Sequence, residues 1–268
     1  MTGARRAFDS PVPRAVVSWS SGKDSAYALH EVRRTGDVEV VGLLTTVTEP
    51  YSRVSMHGVR ESVLDAQARA TGLPLYKVPI PSPCPNAVYE RAMAAMLRRL
   101  HRQGVRRVVF GDLFLEDIRR YREEKLRGSG VAPVFPLWGR PTRALAEEMI
   151  AGGLRARIVA LDPRQLPATF AGRPFDRELL DSLPDGVDPC GERGEFHTCV
   201  TGGPMFDRPI SVTPGAVVHR DGFVFADLDL APLTSESRAL GRRRSPSSRP
   251  RSDTLRSRPS PRSRTRRA

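Results

Sequence analysis

Lysine is almost missing from this chain, whose 268 residues carry three of them against 40 arginines. Cysteine is equally scarce. Cys84, Cys190 and Cys199 form no C-x-x-C pair, which argues against a disulfide framework or a zinc ribbon and leaves free buried thiols as the expectation. No run approaches the roughly 18 to 20 apolar residues of a membrane span, so no membrane role is indicated. The opening MTGARRAFDS lacks the apolar stretch of a secretory signal, and a cytoplasmic location is expected.

What is plentiful is positive charge, a net +13. Its distribution decides its meaning. Ten of the thirteen charges fall from Thr234 onward, where twelve arginines meet only Glu236 and Asp253, so the body before it carries +3. Segment 234–268 is Arg, Ser and Pro with almost nothing to bury; it is expected to be a disordered tail capable of weak, nonspecific nucleic-acid contact. Base-composition drift toward arginine accounts for such a tail equally well. Against that background Lys23 is informative, because a compact ammonium on a flexible stem has been kept where a planar guanidinium would not replace it.

Behind an N-terminal arm (1–13), strand-like and helix-like segments alternate. RAVVSW (14–19), VEVVGLLTTV (38–47), LPLYKVPI and RRVVFGDL read as buried strands. Between them, 24–35, 59–71 and 85–103 carry apolar residues at helical spacing, and a charged helix is expected over 115–127. A helix beginning at Pro141, placed at its first position, leads into the strand ARIVALD (156–162). Continuous apolar strands separated by helices predict an α/β fold: an open, mostly parallel sheet with helices on both faces, spanning 14–162. Ligands in such sheets bind where the strands' carboxyl ends meet. Beyond it, 163–233 reads as a smaller α+β lobe with a short helix near 176–183, a Gly-rich acidic loop, and a hairpin at VVHRDGFVFADLDL turning at RDG.

The first strand runs into Ser20, Ser21, Gly22, Lys23, Asp24 and Ser25, and then into the first helix. Unpaired backbone N–H groups and the positive end of the helix dipole favour phosphate there. Gly22 lets the backbone close in, the serines offer hydroxyls and Lys23 offers charge. The spacing is not G-x-x-x-x-G-K-[ST]. A plain helix cap explains a serine but not the lysine.

The loop is close to S-G-G-K-D-S, the pyrophosphate loop of the ATP pyrophosphatase superfamily, with Ser21 in place of the first glycine. Serine is expected to take a more ordinary backbone angle there. GDLFLEDIRRYREEKL (111–126), FPLW (135–138), DPCGERGEFHT (188–198) and GGPMF follow in order, and with the loop they resemble the diphthine-ammonia ligase family and its bacterial relatives over about 14–225. The resemblance implies an adenine nucleotide alpha-hydrolase-like fold, ATP and Mg2+ as cofactors, and adenylation of a carboxylate that ammonia then converts to an amide. The acceptor acid, small or protein-borne, is open, because bacteria are not expected to make diphthamide. A homodimer is an open option.

Gly111 and Asp112 end the fourth strand on the ligand edge, where Asp112 is a candidate for magnesium or a substrate group. In the helix after it, ion pairs such as Glu116 with Arg120 and Arg119 with Glu123 explain most of the charge as a solvated face; the resemblance instead moves Glu116, Asp117, Arg119, Tyr121 and Arg122 toward substrate as a group. His57 matches a family histidine and is either a phosphate contact or a loop residue. Glu192, Glu195, His197 and Thr198 are read as the acceptor side, with the two glutamates as metal ligands, amine binders or general bases, or as an exposed acidic turn. Trp138 is read as packing. Two rival functions stand beside the ligase: a tRNA-thiolating enzyme drawing on Cys190 and Cys199, and a catalytically silent ATP sensor.

Overall fold

A computed structural model describes residues 11–232. The expectations for most of the N-terminal arm and for the Arg-rich tail lie outside the described residues.

The first strand, β1 (Arg14–Ser18), is buried on both faces, with Ala15 and Val17 turned into one core and Val16 into the other. That alternation is the period-2 pleat acting on a run with no polar side to present to water. β1 feeds α1 (Lys23–Thr35), which closes at Gly36 in the left-handed conformation, a common helix end. Then follow β2 (Glu39–Thr48), the short β3 (Arg53–Val54), α2 (Glu61–Thr71), β4 (Leu75–Ile80), α3 (Asn86–Arg102), β5 (Val105–Val109), α4 (Glu116–Leu126) and β6 (Ala132–Val134).

The parallel strands lie in the order β4, β2, β1, β5, β6, and β3 adds an antiparallel stub to the far end of β2. The chain builds outward from β1 on one side, then returns to place β5 on the other. The carboxyl ends of β1 and β5 therefore flank the point where strand order reverses, where open α/β sheets hold their ligands.

The second half opens with α5 (Thr142–Ala151), for which Pro141 is the capping residue rather than the first helical one, and continues with β7 (Arg155–Leu161), α6 (Arg177–Ser182), β8 (Phe196–Gly202), β9 (Val212–Arg220) and β10 (Phe223–Leu230). These strands form an antiparallel sheet ordered β8, β7, β10, β9. The ARIVALD strand, expected to continue the first sheet, belongs to this one. Its apolar run suits a buried strand of either kind, and the partners that decide are β8 and β10, up to 65 residues downstream. The hairpin at RDG is present, with Asp221 and Gly222 both at positive φ, as a two-residue turn between twisted strands requires. One core cluster joins α1, α2 and α5 with the antiparallel sheet, and a smaller one lies under α3 and α4. Among the described residues no helix is long and apolar enough to cross a membrane.

Candidate active site

A cleft of about 200 Å³ opens at the strand-order reversal. One wall comes from the first sheet: Ser18, Ser20, Lys23, Asp24 and Ser25 after β1, and Phe110, Gly111 and Asp112 after β5. The other comes from the second half: Gly191 and Glu192 in the loop before β8, then Phe196, His197 and Thr198 on it. The acidic loop read from sequence thus becomes a strand at Phe196.

The first wall is made of backbone. α1 begins at Gly22, which supplies no side-chain cap. The N–H of Lys23 is instead taken by Thr198 Oγ1 at 3.0 Å and that of Asp24 by its own carboxylate, while that of Ser25 finds no acceptor among the described residues. That donor is among the four that every helix start leaves over. Gly111 allows the second strand to come this close: a Cβ on it would lie 2.6 Å from the carbonyl carbon of Asp24 and 2.8 Å from the nitrogen of Ser25. Gly22 is similarly pressed, with His57 Cε1 at 3.1 Å and the Thr198 carbonyl at 3.2 Å from its hypothetical Cβ. Ser21 does not take an ordinary backbone angle. Its φ is +72°, the conformation a glycine adopts freely, and its buried hydroxyl has no hydrogen-bond partner.

Lys23 turns away from solvent and is 2% exposed. Its ammonium donates to both carboxylate oxygens of Asp24 at 3.0 and 2.8 Å and to the Cys190 carbonyl, with the rings of Phe175 and Phe196 each 5.5 Å away. Burial works against its charge, but the neighbouring groups, Asp24 first among them, together outweigh it and hold the pKa above the ordinary value. Lys23 is thus a tie between α1 and the second half as well as a charge beside the cleft.

The second wall is made of side chains. Glu192 accepts from the Leu113 N–H at 2.8 Å, and burial raises its pKa to about 7, with Asp24 and Asp112 adding to the effect. His57 and His197 face each other with ring centroids 4.5 Å apart; burial lowers both, His197 to about 4, and keeps them neutral. Asp112 is held in a two-pronged ion pair by Arg122, at 2.7 and 3.0 Å, and Arg122 lies over Phe110.

Several expected site residues stand elsewhere. Glu195, 1% exposed, accepts from the backbone N–H groups of Asp188 and Arg193, both at 2.9 Å, and braces the loop that carries Glu192. Glu116 and Asp117 are exposed at the start of α4. Arg119 pairs with Glu123 at 2.9 Å and stacks on Trp138. Tyr121 lines a second, apolar cavity of about 210 Å³ walled by Met93, Leu97, Val108 and Leu126, which shares Ser18, Phe110 and Arg122 with the cleft. The four on α4 diverge for one reason: a helix starting at Glu116 turns Arg122 into the cleft and carries the neighbouring positions round to other faces. Sequence reading missed Phe110 and Phe196, although both adjoin residues it chose. It also missed Gln67, whose signal was a lone polar residue four positions after buried Val63 on the apolar face of α2.

Comparison with known proteins bears on this arrangement. A family model described as the diphthamide synthase N-terminal domain matches residues 13–133, and one for the diphthamide synthase C-terminal domain matches 141–226. The chain belongs to the diphthamide synthase family. Relatives named diphthine–ammonia ligase include those of Bos taurus, 26% identical over 77% of this chain and 85% of the relative, and Rattus norvegicus, 28% identical over 75% and 83%. That of Danio rerio is 27% identical over 78% of this chain and 90% of its own length. The two walls of the cleft come one from each matched domain of the diphthamide synthase pattern.

Proposed function

We propose that this protein is an ATP-dependent ligase that joins ammonia to a carboxylate as an amide, with AMP and pyrophosphate as products. The observation that carries the reading is the glycine-lined start of α1, where the N–H of Ser25 stands without an acceptor beside the β1/β5 reversal. A leaving pyrophosphate would be held by this donor, by the hydroxyls of Ser20 and Ser25, and by the charge of Lys23. The apolar cavity that shares Ser18, Phe110 and Arg122 with the cleft suits a purine base. A magnesium ion travelling with the phosphates needs only one or two protein carboxylates. Asp24 and Asp112 face the cleft for that task, although among the described residues no cluster of three or more ligating side chains exists.

Glu192 is assigned as the general base. A carboxyl titrating near 7 is divided between its two forms at neutral pH, and can take the proton that ammonia loses as its nitrogen bonds to the acyl carbon and AMP departs. His57 and His197, neutral and packed together, shape the acceptor side without adding charge. Sulfur transfer is disfavoured. Burial pushes the Cys190 thiol up, and the Cys199 thiol to about 12, whereas such chemistry needs a thiolate.

Incubation with ATP, Mg2+, ammonium and a panel of carboxylic acids, with AMP and pyrophosphate followed together, tests the reading. Acid-dependent release of both is expected. ADP with orthophosphate would contradict it, and tight ATP binding without turnover would favour a sensor.

A further inference from the structure

Gln67 is fully buried on α2 and touches no part of the cleft, yet its amide bonds to three residues on two separate pieces of chain. Oε1 accepts from the indole N–H of Trp19 at 2.9 Å. Nε2 donates to the Ser21 carbonyl at 3.1 Å and to the Val200 carbonyl at 2.8 Å, with Cys199 Sγ at 3.7 Å as a weak third neighbour. The partners allow one orientation only, since a flipped amide would set its NH2 against an indole donor and its oxygen against two carbonyls. The same Ser21 carbonyl also accepts from the Val200 N–H at 2.9 Å. The peptide that follows Ser21 is thereby gripped from α2 and from β8.

Ser21 is the residue that needs such a grip. It sits at φ +72° with a Cβ that disfavours this region. No hydrogen bond of its own side chain compensates. Released, it would return to an extended or right-handed angle and rotate the following peptides, taking Gly22 away from the helix start it caps.

We infer that Gln67 is a positioning residue for the nucleotide: its amide holds Ser21 in the left-handed conformation and so keeps the start of α1, with the free N–H of Ser25, in place at the cleft. This rests on the reading of the cleft as an ATP site. Here hydrogen bonds from outside the loop do what a glycine would do from within.

The test is a double-mutant cycle on ATP affinity, read well below each variant's melting temperature. Gln67→Leu should weaken ATP about tenfold, as expected for losing about one net hydrogen bond's worth of preorganisation. Adding Ser21→Gly to it should restore most of that loss, because glycine keeps the angle unaided. Leu64→Ala, a core truncation on the same helix, should lower the melting temperature and leave ATP affinity unchanged. Should Gln67→Leu not fold, Trp19→Phe removes the donor that orients the amide and should weaken ATP in the same direction, again with recovery by Ser21→Gly. Equal affinity in wild type and the folded variant, or no recovery with Ser21→Gly, overturns the role of Gln67 alone. Wild-type protein that binds no ATP overturns the reading of the cleft, and this inference with it.

Discussion

The two walls of the cleft are built by different means. The wall at the end of β1 and β5 is mostly main chain, glycines and the unpaired N–H of Ser25, drawn from two short runs, 18–25 and 110–112. The wall from β8 and its preceding loop is side chain, Glu192 and His197, with His57 packed against His197 from the segment between β3 and α2. A backbone wall suits a ligand part common to all turnovers, since phosphate oxygens ask only for N–H donors and positive charge. A side-chain wall suits the part where protons move and acceptors differ, because pKa values there are set by burial. Lys23 crosses between them, with its N–H capped by Thr198 and its ammonium on the Cys190 carbonyl.

The sharpest probe of the contrast is Glu192→Gln. We expect turnover to fall about 10²- to 10⁴-fold, the range for losing a general base, with ATP affinity nearly unchanged. Wild-type turnover should rise with pH through about 7, and the variant should lose that limb. Stability gives an independent check of sign. Burial penalises the ionised form, so the contribution of Glu192 is fully present below its ordinary value of 4.5 and is lost as pH rises through about 7. The melting temperature of Glu192→Gln should therefore gain on wild type between pH 5 and pH 8. An unchanged rate would return the proton transfer to another group.

Next comes Lys23→Met, which cuts the tie between the walls. Breaking a buried pair costs about 3 kcal/mol here, the low end of the usual range, because Asp24 keeps 28% exposure and can be rehydrated. Both unfolding stability and pyrophosphate release should suffer. Denaturant unfolding with no shift would show that Lys23 serves the ligand alone.

Gly111→Ala attacks the backbone wall by itself. The new methyl meets main-chain atoms of Asp24 and Ser25 that have no side-chain freedom to yield, so a loss of about 1 to 3 kcal/mol is expected. It should appear mainly in ATP affinity, and a calorimetric titration equal to wild type would mean that the helix start can shift without consequence.

The smallest effect is expected from Ser21→Gly. It relieves a left-handed serine and a buried unpaired hydroxyl, offset by the greater freedom of glycine in the unfolded chain. The net gain should be about 1 kcal/mol, or roughly 2 to 4 °C in melting temperature. A fall in melting temperature would mean that the hydroxyl has a role not visible in its contacts.

Much of the backbone wall was legible in the residues themselves. The run from Arg14 to Thr35 carries its own signals: an apolar strand, small residues and a glycine at the bend, then apolar positions at helical spacing. Asp112 and Gly111 followed from standing at the end of a strand. The side-chain wall was legible only as a cluster. Glu192 and Glu195 are three residues apart in one glycine-flanked segment and equal candidates by composition, yet one faces the cleft and the other braces the loop. Ser21 looked like a residue that would refuse a glycine's angle, because the hydrogen bonds that hold it come from Gln67 and Val200.

The order of strands and helices in the first half, the bend at Ser20–Ser25 and the hairpin at Asp221–Gly222 are written in local periodicity and turn chemistry, which short stretches of chain settle among themselves. Which sheet receives β7, which glutamate titrates near 7 and whether Ser21 can stay left-handed were decided by the tertiary structure. Each depends on partners far along the chain, as when Lys23 meets Thr198 across 175 residues, and the energy of burial or of a shared hydrogen bond exists only once those partners have met.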